Sequence, residues 1–368
     1  MQIKAKITGI EYQPKLTSEL AKFDLQEINI NDLPANCLIT DDNFTFGLSK
    51  WVSPKRTRSY PYERVYNTLG SSKRITIMPI IKDEGLKGDR DYIQWDTVSL
   101  MSLLDVFVIF AYYQNAEKHP TRENKITNQK FDNQLIIDKI KEIKNYHSSA
   151  LHWNLKEISE TFPGLIEKAK SSYQNLGKKL NVKFHSTEGI DKFAKQFVSG
   201  VNDFMETSRQ KAKEAQNREM QTVQPKEALS TLTKATITIE NYLGGKYYFT
   251  TDEIKIDNEK LYLIEAKHSR TSILPSKGDI KDGLLKMILY SNLKNVNIND
   301  TEYQAIPVLK LTSTKLSGNI SSNSTKDEIQ SFYDKNKLNK RQIEMLDNLF
   351  SEAEINNFVV IIEKAESL

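Results

Sequence analysis

A short apolar run that ends in charged residues constrains this chain most. Residues 261–264 (LYLI) are continuously apolar, as in a strand covered on both faces, and they lead directly into Glu-Ala-Lys at 265–267. Because side chains alternate along a strand, Glu265 and Lys267 share one face and continue one of its apolar rows. Ionised groups in a buried row are costly unless they are paired or bind a metal. The sequence therefore predicts a core strand with a charged site at its end.

A second acidic residue is expected opposite this site. The dipeptide Asn-Glu at 258–259 is a suitable two-residue turn between two strands. If the flanking residues pair directly, Asp252 falls opposite Glu265 and the two carboxylates enter one site. A bulge that shifts the register by one residue would bring Glu253 there in place of Asp252.

Two carboxylates and a lysine in this arrangement suit phosphodiester cleavage. Carboxylate oxygens bind Mg²⁺, which keeps several waters and accepts phosphate oxygens. A lysine ammonium can hold the attacking water and offset negative charge. The expected chemistry is metal-dependent hydrolysis of a phosphodiester.

The spacing Asp252, twelve residues, then Glu-Ala-Lys after an apolar strand resembles the PD-(D/E)XK nuclease superfamily, which includes many type II restriction endonucleases. The resemblance covers about residues 226–312. It implies that Asp252 and Glu265 bind Mg²⁺, or Mn²⁺ as a substitute, and that Lys267 acts with the attacking water. It also makes Glu240, expected on a preceding helix, a further candidate ligand. One departure is Thr251, which occupies the position of the family's proline.

One other group of residues is a possible metal site. An acidic group beyond an apolar strand at 75–81 could fold around a cation with the help of two nearby glycines, and its members are Asp83, Glu84, Asp89, Asp91 and Asp96. Its alternative role is a solvated loop. The five histidines do not have the spacing of a zinc site.

The segment 50–66 interleaves basic and aromatic residues and contains two prolines. Such a composition suits phosphate contacts, base stacking or guanine readout, and the expected DNA-binding residues are Lys50, Lys55, Arg56, Arg58 and Arg64. The competing interpretation is a solvated basic loop whose aromatic residues pack on the core.

The order of patterns predicts an α/β (α+β) protein with a restriction-endonuclease-like mixed sheet flanked by helices. Three regions are expected. Residues 1–113 form a mixed region with few regular elements before a strand at 75–81, where Pro79 favours an edge position or a bulge. Residues 114–225 are helical, and residues 226–368 form the catalytic core. In the core the pattern predicts a helix from residue 226 and strands at 246–249, 252–256, 260–266, 305–311 and 358–362. A further helix is expected at 279–293.

Composition limits the function without defining it. A net charge of +4 from 52 basic and 48 acidic residues allows nucleic acid binding but does not require it. The single cysteine, Cys37, indicates a reducing compartment, and with no signal-peptide pattern the expected location is the cytoplasm without a membrane partner. No phosphate-binding loop is present, so no nucleotide cofactor is expected.

These observations favour a Mg²⁺-dependent type II restriction endonuclease that binds double-stranded DNA as a homodimer. The alternatives are a repair or recombination nuclease with the same core, and a DNA-binding or assembly protein whose core is inactive.

Overall fold

The computed structural model describes residues 1–42, 44–54, 65–197, 201–221, 235–241 and 246–365. Strands β1 to β18 are, in chain order, Gln2–Ile7, Lys22–Asp24, Asn36–Asp41, Phe44–Lys50, Lys73–Pro79, Ile81–Asp83, Arg90–Tyr92, Val106–Ala111, Tyr113–Lys118, Ile126–Phe131, Ala235–Asn241, Lys246–Thr251, Glu253–Asp257, Lys260–Ser269, Lys294–Ile298, Thr301–Ser313, Asn319–Ser321 and Val359–Lys364. Helices α1 to α9 are Trp95–Leu103, Asn133–Lys144, Ala150–Glu160, Phe162–Leu180, Glu188–Lys195, Val201–Gln221, Lys277–Tyr290, Lys326–Lys335 and Lys340–Ile355.

The chain forms two compact units that differ from the three consecutive regions expected. One unit, the terminal unit, combines Met1–Ser18 with Lys211–Leu368. The other, the middle unit, is continuous from Glu19 to Gln210. The first residues of the chain therefore belong with its C-terminal part, from Lys211 onward.

A mixed sheet organises the terminal unit. Its described strands follow the order β12-β11-β1-β15-β16-β14-β13, and β18 and β17 extend it from β16. Strands β14, β16 and β18 run parallel, while β13 returns antiparallel to β14. Parallel neighbours need crossovers, and α7 provides the one between β14 and the β15–β16 hairpin.

The chain start is built into this sheet. Strand β1 lies between β11, to which it is parallel, and β15, to which it is antiparallel. Its sequence QIKAKI alternates exposed and buried side chains, the pattern of a strand with one covered face. Farther along, Tyr12 Oη donates to Glu352 Oε1 at 2.6 Å, and the amides of Lys15 and Leu16 donate to Glu352 Oε2. The fully buried Glu352 carboxylate thereby ties the N-terminal segment to α9.

The middle unit is built on a second sheet of order β2-β3-β4-β5-β8. Strands β4, β5 and β8 are parallel to one another. Cys37, Phe46, Ile77, Ile109 and Trp153 belong to the buried cluster that packs on this sheet. Cys37 is thus a small buried core residue.

In the first 131 residues the structure corrects several sequence expectations. Strands β1 to β4 occupy a region expected to have few regular elements, because their short alternating patterns carry little signal. The strand expected at 75–81 is β5, which lies between β4 and β8 and so is not an edge strand. Pro79 is tolerated because it is the last residue of β5. Strands β9 and β10 form a hairpin where helix was expected, and the helices of the region 114–225 begin at Asn133.

The C-terminal elements agree better with the sequence pattern. Strands β12, β13, β14, β16 and β18 and helix α7 occupy the predicted places within a few residues. The predicted helix at 226–233 lies outside the described residues, and its continuation is wrong, because residues 235–241 form β11. The α/β class is confirmed. In the described part of the chain, none of the helices is long and apolar enough to cross a membrane.

Candidate active site

The register of the β13–β14 hairpin is the two-residue turn predicted. Asp257 pairs with Lys260, and the ladder continues to Glu253 opposite Ile264. Asn258 adopts the left-handed conformation with φ of 52°, which asparagine tolerates better than most residues. The next residue before Glu253 is Asp252, so the predicted register is confirmed.

Asp252 lies where the chain changes partners. Thr251, the last residue of β12, pairs with Ala235 of β11, and Glu253, the first residue of β13, pairs with β14. Asp252 therefore belongs to neither ladder. Its Oδ2 instead accepts a hydrogen bond of 2.8 Å from the amide of Ala266, a group beyond the end of the β13 pairing. This bond holds the Asp252 carboxylate beside the Glu-Ala-Lys triplet.

Glu265 and Lys267 continue the buried row of β14, as predicted. In the parallel pairing with β16 they lie opposite Leu309 and Leu311, both fully buried. The Glu265 side chain is only 3% exposed and that of Lys267 17%. Lys267 Nζ lies 3.0 Å from Glu265 Oε1, so the two charged groups form an ion pair within the core row.

Helix α7 adds two residues that the sequence argument missed. Lys286 Nζ lies 2.5 Å from Glu265 Oε2, and Asp282 Oδ2 lies 2.5 Å from Lys267 Nζ. Lys286 also donates to the carbonyl of Thr250, next to the β12–β13 junction, at 3.0 Å. The sequence did carry a signal: Asp282 and Lys286 are four residues apart and so share one face of the helix.

Helix α7 reaches this site because Gly283 allows close contact. A Cβ atom at position 283 would lie 2.5 Å from Leu309 Cδ1 and 3.4 Å from Lys267 Cε. Any side chain would therefore separate the helix from the two strands. This close packing brings Asp282 into contact with Lys267 and Lys286 into contact with Glu265. Ser276 caps the start of the helix, where its side chain accepts a hydrogen bond from the amide of Asp279.

The lysines keep Glu265 ionised. Burial alone would raise the pKa of Glu265, but the neighbouring ammonium groups of Lys286 and Lys267 outweigh it and lower that pKa. Burial would likewise lower the pKa of both lysines. Instead, the Glu265 charge raises both pKa values. Asp282 adds to this effect at Lys267, and Tyr290 and Asp252 add to it at Lys286. These three groups are therefore charged together over the physiological pH range.

Asp252 is the least compensated member. Burial, together with the negative charge of Glu265, raises the pKa of the Asp252 carboxyl to about 6. No lysine or arginine of the described residues forms an ion pair with it. When Asp252 is ionised, three carboxylates, Asp252, Glu265 and Asp282, face two ammonium groups, an excess of one negative charge.

This donor set fits one divalent cation of the Mg²⁺ type. Mg²⁺ is held by one or two carboxylates and completes its shell with water and phosphate oxygens. Asp252 would be the first ligand, and Glu265 the second if one of its oxygens exchanges an ammonium for the cation. A three-residue cluster of His, Cys, Asp or Glu suited to a metal is not found in the described part of the chain.

Glu253, the alternative to Asp252, takes part in a different cluster. Its Oε2 lies 3.5 Å from Lys310 Nζ, and Lys310 also pairs with Glu363 at 2.9 Å. Lys310 is paired in register with Ala266, whose side chain points away from the face of Glu265. The structure therefore brings Asp252, and not Glu253, to Glu265.

The expectation that Glu240 joins this site from a helix is wrong. Glu240 lies on β11, is paired with Lys246 at 2.9 Å, and is 43% exposed. Ala235, which pairs with Thr251, precedes it by five residues, so Glu240 lies roughly 17 Å along the strand from the level of Thr251. A carboxylate side chain does not span that distance.

Two members of the rival acidic group in the middle unit, Asp83 and Glu84, are already paired with basic side chains. The fully buried Asp83 accepts from Arg90 Nε at 2.6 Å and contacts His185 Nδ1 at 2.9 Å. Glu84 pairs with Lys82 and Lys125. Asp89 is exposed, Asp91 accepts from Ser53, and the side chain of Asp96 lies outside the described set. Asp83 and Glu84 are thus members of separate ion-pair clusters and not convergent ligands of one metal.

The basic segment is only partly described. Lys50 donates from Nζ to the carbonyls of Ile30, Asn31 and Leu33 at 2.8, 3.3 and 2.7 Å, so it anchors the loop at 30–33. Lys55, Arg56, Arg58 and Arg64 lie outside the described residues. Their contact with DNA stays a prediction.

Comparison of the chain with family models, with curated proteins and with solved structures finds no match. A function for this chain therefore has to be inferred from the geometry and charge of the site itself.

Proposed function

We propose that the chain is a Mg²⁺-dependent endonuclease that cleaves double-stranded DNA, as a type II restriction enzyme does. The observation that carries this proposal is the meeting of Asp252, Glu265 and Lys267 at one buried strand end with one uncompensated negative charge. In a purely structural ion-pair network, a buried carboxylate without a positive partner would only destabilise the fold. In a site that receives a divalent cation, the same carboxylate is a ligand.

Each residue has a role in this proposal. Asp252 and Glu265 would hold the cation, which when bound supplies Lewis-acid polarisation of the scissile phosphate. Lys267 would hold the attacking water and offset charge at the phosphate. Asp282 orients the Lys267 ammonium, and Lys286 keeps Glu265 ionised and ties it to Thr250.

We propose that segment 50–66 binds part of the DNA through Lys55, Arg56, Arg58 and Arg64. A homodimer would match a symmetric site and cut both strands. Phosphate contacts by this segment would make affinity fall steeply with salt.

The test is incubation of the purified protein with long unmethylated DNA, with and without Mg²⁺. We expect discrete fragments only when the metal is present. Lys267→Ala should remove cleavage, whereas Lys310→Ala should keep it. Lys310 is the matched control because it lies on the paired strand, is similarly buried and also pairs with glutamate.

A second pair of variants tests the register. Asp252→Asn should reduce metal-dependent cleavage far more than Glu253→Gln. Cleavage that survives in both Lys267→Ala and Asp252→Asn would refute the assignment.

One observation favours a second candidate, a DNA-binding or assembly protein with an inactive core. Both oxygens of Glu265 are paired with lysines, as in a network that only needs to neutralise itself. Such a protein would retain DNA affinity and give no fragments at any Mg²⁺ concentration.

A further inference from the structure

A cavity of about 340 Å³ lies in the middle unit between α4 and the loop that follows it. Its size is that of pockets that hold small ligands, which start near about 300 Å³. One wall is a face of α4 and the other is the loop at 181–187. No residue of the candidate active site lines it.

The described lining of this cavity is basic. Arg90, Lys170, Lys178, Lys183 and His185 contribute to it, and none of the described lining residues is acidic. Lys170 is paired with Asp191 and Arg90 with Asp83. Lys178 and Lys183, both exposed, form no ion pair with a described residue, so their two ammonium groups are available to a ligand.

His185 is held in a defined orientation toward the cavity. Its Nδ1 lies 2.9 Å from Oδ1 of the fully buried Asp83. A carboxylate that accepts from one imidazole nitrogen fixes the orientation of the ring. The ring nitrogen left for a ligand is therefore Nε2, which donates to a phosphate oxygen when the ring carries both protons and then adds a third donor to the two lysines.

The loop wall is rigid before any ligand binds. Arg90 donates from Nη2 to the carbonyl of His185 at 2.8 Å and from Nη1 to that of Ser186 at 2.7 Å. The amide of Lys183 donates to Asn124 Oδ1, and its carbonyl accepts from the amide of Leu86. Because this backbone is already ordered, binding costs little conformational entropy.

We propose that this cavity binds the phosphate group of a nucleotide, through Lys178, Lys183 and His185. Convergent ammonium and imidazole groups suit the several oxygens of a phosphate. The cavity is larger than a phosphate ion, and Phe184 and Ile190 provide an apolar wall for the nucleoside attached to the phosphate. The nucleotide is either part of a DNA strand or free, and the proposal does not depend on cleavage at Glu265.

The test measures binding to the full-length protein in a chelator, so that no cleavage occurs. The probes are inorganic phosphate, deoxyadenosine monophosphate and a labelled DNA duplex. The variant is Lys178→Ala with Lys183→Ala. Its matched control is Lys168→Ala with Lys179→Ala, which removes two exposed lysines of α4 that do not line the cavity. Thermal melts confirm that both variants fold.

We expect the first variant to weaken binding of at least one probe by about tenfold or more, and the control to leave it within about twofold. Loss of duplex affinity, with a salt slope reduced by about 0.9 per lost contact, identifies DNA as the source. Loss confined to phosphate and the mononucleotide identifies a free nucleotide. His185→Asn should weaken the same probe by a smaller factor.

Two results would overturn the proposal. One is equal behaviour of the two double variants with every probe. The other is the absence of binding of all three probes to the unaltered protein below about 10 mM. A protein that fails this test can still cleave DNA, and a protein that does not cleave can still pass it, so the two proposals fail separately.

Discussion

Two buried acidic networks in this molecule look alike in composition and differ in charge balance. In the middle unit, Asp83 is matched by Arg90 and contacts His185. Among the described residues of the terminal unit, Asp252, Glu265 and Asp282 face two ammonium groups, those of Lys267 and Lys286. The first network is complete without a ligand, whereas the second lacks one positive charge. This difference separates an ion pair that stabilises a fold from a site that we propose receives a metal.

The largest effect should come from exchanging one carboxylate in each network. Glu265→Gln should lower the rate of metal-dependent cleavage by about 10³-fold or more, since it removes a ligand and the partner of two lysines. Asp83→Asn should leave the single-turnover cleavage rate nearly unchanged at a temperature where the variant is folded. Equal losses in the two variants would remove the distinction between the networks.

Stability should show how much the complete network contributes to folding. Asp83→Asn leaves the Arg90 guanidinium without its buried partner, and we expect a loss of about 3–5 kcal/mol in the free energy of unfolding. Urea denaturation followed by circular dichroism measures it. Asp89→Asn is the control, because that side chain is exposed and its loss should cost little. A loss of similar size for both would mean that Asp83 is not a structural partner.

The ionised Asp252 carboxylate, unlike that of Asp83, should lower the free energy of unfolding. The native pKa of Asp252 is raised from 3.8 to about 6. The native state therefore binds this proton more tightly than the unfolded state, and the stability it provides is lost as the pH rises from about 4 through about 6. At about pH 8 in a chelator, Asp252→Asn should be more stable than the unaltered protein by about 1–3 kcal/mol.

The stability advantage of Asp252→Asn should vanish at about pH 4, where residue 252 is neutral in the native state of both the variant and the unaltered protein. Added Mg²⁺ should stabilise the unaltered protein and not Asp252→Asn, since a cation that binds only the folded site shifts the equilibrium toward it. Thermal melts at both pH values, with and without Mg²⁺, check this. A variant that is less stable at both pH values would show that Asp252 is not strained by its neighbours.

The smallest effect concerns the helix that completes the terminal network. Gly283→Ala should destabilise the protein by about 1–3 kcal/mol, because the new Cβ would overlap Leu309. The same change should slow cleavage by displacing Asp282 and Lys286. Gly164→Ala in α4 is the matched control, since nothing lies within 4 Å of its added Cβ and it should gain up to about 1 kcal/mol of helix stability. Denaturation and cleavage assays on both variants measure the contrast.

Much of the candidate site was predictable because its information is local. Alternation along β14 places Glu265 and Lys267 on one face, and the two-residue turn at Asn258 sets the level of Asp252. Both arguments need only the strand period and turn chemistry, which act over a few residues. The choice between Asp252 and Glu253 was decided by that same register.

The sequence by itself therefore determined the α/β class, strands β12, β13, β14, β16 and β18 with helix α7, and the residues that meet at the hairpin. Only the tertiary structure decided that Lys286 and Asp282 complete the site, that Glu240 lies on β11 away from it, and that β1 joins the C-terminal part of the chain. These outcomes depend on contacts between residues far apart in sequence. Periodicity describes which face of an element is buried, but it does not say which other element covers that face.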